Sequence, residues 1–228
     1  MRTALLTISA FLILIASAGS GSTVNLPEPD HDGLTVEEAI RQRRSVRVYA
    51  AEAVTLAEIS EILFAAQGVT GEAGGRALRA APSAGATYPF EVYVFANRVE
   101  GLEPGLYRYL PHGHELEMLR AGNLGEALSE ACLGQDMPAE AACTLVLAAV
   151  PERTTDVYGE RGIMYVYMEA GHISQNIYLQ CASLGLGAVA VGAFHESGVD
   201  ALIGLDGEHE SAVYVNCIGR KVATQDGE

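Results

Sequence analysis

The longest regular signal in the chain is helical and runs from about Ile163 to Leu184. Within it Ile173, Ile177, Cys181 and Leu184 recur at intervals of three and four, the spacing of one apolar helix face. At 1.5 Å per residue such a helix is on the order of 30 Å long, so the remaining elements must pack around it. Phe90 to Ala96 (FEVYVFA) reads as a buried strand, and Thr144 to Val150 (TLVLAAV) is a continuous apolar run suited to a central one. Leu106 to Leu110 follows the turn signal Pro104-Gly105 and can pair with Leu116 to Leu119, while Ser211 to Gly219 reads as the last strand. Strands are thus scattered among helices without a strict βαβ rhythm, which suggests a mixed α/β sheet.

The other helices announce themselves by their starts. Thr35-Val36-Glu37-Glu38 and Thr55-Leu56-Ala57-Glu58 both have capping-box spacing. The first opens a short helix ending near Arg43, after which Val46 to Tyr49 alternates like a strand. The second leads into Ile59, Ile62, Leu63 and Ala66 at helical intervals, with Gly68 as the stop. Asn123 to Leu133 and Glu196 to Leu205 are further helix patterns, and Gly185 to Phe194 reads as a glycine stop running into a buried strand. Between Thr70 and Pro89 lies a loop rich in Gly and Ala, of a length that is often functional in a compact domain.

Charge narrows the partners. Fourteen basic residues face twenty-nine acidic ones, a net charge of −15, which argues against nucleic acid or an anionic membrane surface as partner. Against that background four arginines, Arg41, Arg43, Arg44 and Arg47, fall within seven positions around Ser45. A helix C-terminus attracts one or two cations through its dipole. Four guanidiniums suggest in addition an anion between them, and a phosphate fits their paired donors.

Several patterns lead nowhere. Glu169-x-x-His172 is half of a di-iron motif without its second copy, and no metal site is expected. Glu169, His172 and Asn176 form a polar stripe expected to face an interface or solvent, and His112 and His114 are expected to be solvated turn residues. Cys132 and Cys143 could pair in an oxidising compartment, whereas Cys181 and Cys217 sit in apolar patterns. At the N-terminus, Arg2, the apolar stretch Ala4 to Ala16 and the small-x-small Ala16-Ser17-Ala18 predict a signal peptide over residues 1–18, with a retained membrane anchor as the alternative. The chain is accordingly expected to be exported or membrane-anchored, with a cytoplasmic-facing domain the remaining option. Residues 19–33 then read as a linker, 34–222 as one domain and 223–228 as a tail.

With these residues in place, the chain resembles the nitroreductase-like flavoprotein family, and within it the branch that includes the SagB-type dehydrogenases. Arg43-Arg44-Ser45-Val46-Arg47 stands where the family holds the phosphate and ribityl chain of FMN. Pro82-Ser83-Ala84-Gly85 matches the loop that reaches over the isoalloxazine from a partner subunit. Tyr158-Gly159-Glu160-Arg161-Gly162, Glu169-Ala170-Gly171-His172 and Gly185-Leu186-Gly187 also follow the branch. The resemblance implies an α+β fold with a mixed central sheet flanked by helices, an obligate homodimer with two FMN sites, an electron donor such as NAD(P)H, and a small organic acceptor of the nitro or quinone type. It assigns Gly187, and the backbone N–H groups of Gly192 and Ala193, to the flavin site, and lets Arg220 reach the phosphate. Azoline-oxidising members carry a Lys-Tyr pair before the long helix. Here Val157 stands at the Lys position and Tyr158 is left as the acid/base group, so azoline oxidation on a peptide and flavin binding without turnover are the alternative readings.

Overall fold

The structure, a computed structural model, describes residues 21–30 and 32–222. The signal peptide expected over residues 1–18 and the tail expected over 223–228 therefore lie outside the described residues. In chain order the strands are β1 (Thr23–Asn25), β2 (Val54–Thr55), β3 (Val69–Ala73), β4 (Arg76–Arg79), β5 (Phe90–Ala96), β6 (Val99–Glu100), β7 (Gly105–Leu110), β8 (Glu115–Ala121), β9 (Cys143–Ala149), β10 (Leu186–Val191) and β11 (Ser211–Arg220). The α-helices are α1 (Val36–Gln42), α2 (Leu56–Gln67), α3 (Gly125–Ala131), α4 (Met137–Glu140), α5 (Glu152–Tyr158), α6 (Gly162–Ser183) and α7 (Glu196–Ile203).

Seven strands form one sheet in the order β1-β8-β7-β5-β9-β11-β10, antiparallel at every pairing. Every residue of β9 is buried, because this strand has neighbours on both edges and cover on both faces. The two faces sort by alternation. Val92, Val94, Leu145 and Leu147 join Ile59, Ile62 and Leu63 of α2 and Val166, Ala170, Ile173 and Ile177 of α6 in one core. Tyr93, Phe95, Val146 and Ala148 point the other way and pack with Leu128 of α3 and Val199 of α7. The α+β reading, with a central sheet flanked by helices, thus holds, but the sheet expected to be mixed is antiparallel, because each neighbouring pair of its strands runs in opposite directions.

Both capping boxes form, with Thr35 and Thr55 accepting from the N–H groups of Glu38 and Glu58. Four local expectations fail. The stretch read as a linker contributes β1, which pairs with β8. Val46 to Tyr49 is not a regular strand; only Ser45 and Tyr49 make isolated bridges, to Ala188 and Lys221, at the open edge of β10 and the end of β11. The long loop begins with a β3–β4 hairpin whose turn residues, Gly74 and Gly75, are left-handed (φ 60° and 74°). His114 is half-buried, with Nδ1 2.8 Å from the Tyr109 hydroxyl and Nε2 2.6 Å from Ser60 Oγ. All four cysteines are free and buried, so Cys132 and Cys143 form no disulfide.

Candidate functional site

The arginine cluster starts where α1 ends. Arg43 is the C-cap, and Arg44 turns back so that Nη1 donates to the carbonyls of Arg41 and Arg43 at 2.9 and 2.8 Å. One of the four arginines therefore serves the helix terminus, satisfying carbonyls that the helix leaves free. Arg43 instead lies over the Tyr178 ring, 5.1 Å from its centroid, and neither Arg43 nor Arg47 has a carboxylate partner among the described residues. The Tyr178 hydroxyl accepts from the N–H of Ala190 at 2.7 Å and meets Ser45 Oγ at 3.1 Å. Tyr178 thereby ties α6, the edge strand β10 and the cluster together. Gly187 is needed at this seam: a Cβ there would stand 2.7 Å from Val46 Cγ1. At the far end of β10 the backbone of Gly192 and Ala193 is exposed, with the Ala193 carbonyl accepting from Gln135.

Arg220 does not join this group. Its Nη1 and Nη2 grip both oxygens of Glu58 at 2.6 and 2.8 Å, and Nε donates to the Ala53 carbonyl. A fork already filled by a carboxylate is not available to a phosphate.

The second group sits on the loop after β4. Ala86 (φ 53°) and Tyr88 (φ 44°) are both left-handed non-glycine residues, and Gly85 (φ 60°) lies beside them. Each non-glycine residue held there costs about 1–2 kcal/mol, so the loop must be fastened. Ser83 Oγ accepts from Tyr88 N–H at 2.9 Å, and Thr87 Oγ1 donates to the Ala84 carbonyl while contacting Thr154 Oγ1 at 2.8 Å. Arg79 N–H donates to the Tyr88 hydroxyl, and the Arg79 guanidinium lies over the Tyr88 ring. Tyr158, at the end of α5, has its ring edge-on to Tyr165 and its hydroxyl where a Cβ on Gly85 would collide at 2.6 Å.

Pro82, Ser83 and Ala84 line a cavity of about 270 Å³ with Tyr165, Met168, Glu169 and His172 of α6. Glu169, expected to face an interface or solvent, is only 2% exposed. Burial is the main cause that pushes its carboxyl up to about 7, against the smaller opposing pull of Ser83, Arg79 and Gln67. Its Oε1 has no hydrogen-bond partner among the described residues, nor has Gln67 Nε2. Of the other members of the polar stripe, Asn176 Nδ2 donates to the Ala65 carbonyl and His172 is exposed. A separate groove of about 360 Å³ beside α1, α2 and α6 is lined by Asp30, Asp32 and Glu61, carboxylates that would repel a phosphate.

One chain does not bring its two groups together. Glu169 and Tyr178 are nine residues apart on the same helix, roughly 13 Å along its axis. Tyr178 and Glu169 were the residues that pattern reading missed. For Glu169 a signal existed: carrying the apolar stripe of Ile177 and Ile173 back by three and four positions lands on Ala170, Glu169 and Val166, all of them buried.

The sequence profile described as the nitroreductase family matches residues 40–220. A provisionally named nitroreductase, MJ1384 of Methanocaldococcus jannaschii, is 43% identical over 202 residues, covering 89% of this chain and 99% of that protein. The trifolitoxin-processing protein TfxB of Rhizobium leguminosarum bv. trifolii is 31% identical over 140 residues, 59% of this chain and 38% of TfxB. Among solved structures, a provisionally named nitroreductase from Ralstonia eutropha superposes with a TM-score of 0.76 at 33% identity, covering 88% of this chain and 90% of that one.

Proposed function

Because this chain belongs to the nitroreductase family, and so to a family of oxidoreductases, we propose that it is an FMN-dependent enzyme that works as a homodimer. It would take electrons from a donor such as NAD(P)H and reduce a small organic acceptor of the nitro or quinone type. The observation that carries this reading is the pair Arg43 and Arg47, cations without carboxylate partners among the described residues, beside Ser45 in a chain of net charge −15. They suit a phosphate monoester, with Ser45 Oγ as a further donor.

What one chain leaves open supports the dimer reading. Ile163, Met164, Tyr167 and Met168 are exposed along one side of α6, and Val36 and Ile40 are exposed on α1. Gly171 continues the α6 face with nothing within 4 Å of a Cβ placed there, which lets another backbone approach closely. A second copy packed on this face is the arrangement the resemblance implies, with the arginine cluster of one chain and the Ser83 loop of the other around one FMN. FMN bound between them would supply hydride transfer at N5. Arg43, Arg47 and Ser45 would hold its phosphate, and Pro82, Ser83 and Ala84 would cover its ring. Gly192 and Ala193, both exposed at the end of β10, would turn backbone N–H groups to the ring edge, where such donors favour negative charge. Tyr158, partly exposed beside Gly85, can exchange a proton with solvent. The partial likeness to TfxB keeps peptide oxidation as a second reading, with Tyr158 as its acid/base group; Val157 offers no titratable partner.

The test is reconstitution. The purified protein should bind FMN, elute as a dimer, bleach anaerobically with NADPH and recover its colour on adding a quinone. Arg43→Ala should weaken FMN binding by at least tenfold, since hydrogen bonds to charged groups contribute about 1.5–3 kcal/mol. A monomer that binds no FMN would end the reading.

A further inference from the structure

Residues 21–30 form a strap with little apolar hold on the body. β1 is three residues long, and Leu26 is the one buried side chain of the stretch. The strap is fastened where it meets the turn between β7 and β8. Leu26 N–H donates to the His114 carbonyl at 3.1 Å, and Asp30 N–H bonds to Glu61 of α2. Beside them a line of side chains runs from Tyr109 through His114 and Ser60 to the Pro27 carbonyl.

The protons in that line can be counted. A carbonyl only accepts, so Ser60 Oγ donates to Pro27. Ser60 Oγ must then accept from His114 Nε2–H, 2.6 Å away, and the bare Nδ1 accepts from the Tyr109 hydroxyl at 2.8 Å. Each proton has an acceptor, and only a neutral imidazole protonated on Nε2 fits. A second proton, on Nδ1, would point at the Tyr109 oxygen and turn the hydroxyl proton away. That proton has no other hydrogen-bond partner among the described residues, and Tyr109 is only 1% exposed, so its loss is costly.

We propose that Tyr109, His114 and Ser60 form a proton-operated latch, which holds residues 21–30 against α2 and β8 while the imidazole is neutral and lets them go when it is protonated. Release uncovers the edge of β8 that β1 otherwise pairs with. The titratable and charged groups facing His114 are Tyr109 of β7, Glu61 of α2 and Glu28 of the strap, and the Phe64 ring of α2 lies edge-on to it. Burial holds the imidazole below its ordinary 6.5, against the smaller opposing pull of the Pro27 carbonyl, Glu28 and Glu61. With the strap released, His114 returns to that ordinary value. Below 6.5 the open state therefore binds more protons than the closed one, and closure weakens as pH falls. The latch works whether or not the chain binds a flavin.

The test follows the full chain by NMR and amide hydrogen exchange from pH 8 to pH 5.5, above the range in which ordinary carboxylates titrate. At pH 8 the His114 ring nitrogens should report a proton on Nε2 and none on Nδ1, and the ring should titrate with a midpoint below 6.5. Exchange of the Leu26 amide, corrected for its intrinsic rate, should quicken by up to about tenfold per pH unit below 6.5. The amides of β9 should stay protected. His114→Gln keeps a donor toward Ser60 but carries no titratable group, so its Leu26 exchange should not vary with pH. Should that variant fail to fold, His114→Asn decides, since asparagine tolerates the left-handed backbone at this position (φ 49°). Its strap should be looser at pH 8 and no looser at pH 5.5. A ring proton on Nδ1 at pH 8, or a midpoint at or above 6.5, overturns the latch. So does Leu26 exchange that ignores pH in the wild type, or a pH response that survives either substitution. If the β9 amides open at the same rate as Leu26, the event is global unfolding and the strap is no separate device.

Discussion

Replacing Glu169 by Gln isolates the cost of a buried carboxyl. A glutamate in water releases its proton near 4.5, whereas this one holds it to about 7 because burial disfavours the charged form. Between those two values the native chain keeps a proton that the unfolded chain has lost. Stability therefore falls as pH rises across this window, then levels off above 7. At 1.36 kcal/mol per pH unit the whole effect is roughly 3 kcal/mol, and about 2.5 kcal/mol of it lies between pH 5 and pH 8. The Glu169→Gln variant is neutral throughout and should not share that slope. Urea unfolding of both proteins at one protein concentration, at pH 5, 6, 7 and 8, gives the difference curve, in which the other titrating groups cancel. The variant should gain on the wild type by about 2.5 kcal/mol from the lowest pH to the highest. Parallel pH profiles would show that the carboxyl does not titrate in this window, and the account of its burial would be wrong.

Two further substitutions separate structural from binding roles. Gly187→Ala places a Cβ 2.7 Å from Val46 Cγ1, and should destabilise by about 1–3 kcal/mol. Calorimetry should show part of the loss restored in Gly187→Ala with Val46→Gly, which removes both Cγ1 and the Cβ that stands 2.9 Å from the new methyl group; no rescue would place the strain elsewhere. Arg220→Ala removes the fork from Glu58 and should lower stability by roughly 1–2 kcal/mol, seen in urea unfolding. Arg43→Ala, by contrast, should be felt mainly in flavin affinity. A large loss of FMN affinity in Arg220→Ala with unchanged stability would reverse the two assignments.

Local chemistry made much of the fold legible. Thr35 with Glu38 and Thr55 with Glu58 form their caps within four residues of chain, so no distant contact can much alter them. The apolar runs of β5 and β9 are long enough that only the middle of a sheet can bury both of their faces. The same locality hid β1, whose three residues carry no strand pattern and are held by β8. It also hid the β3–β4 hairpin, because its Gly- and Ala-rich sequence has little side-chain alternation to read.

By itself the sequence determined the long helix, the core strands and the clustering of arginines around Ser45, all properties of neighbours along the chain. Which arginines remain without carboxylate partners among the described residues was decided by tertiary structure alone. Arg44 is taken by the carbonyls of its own helix end and Arg220 by Glu58, a partner 162 positions away. Tyr178 and Glu169 likewise gain their roles only when α6 lies against β10 and the Ser83 loop. Hydrogen bonds and burial depend on proximity in space, and a linear pattern carries that information only where the two partners share one turn of helix or one strand.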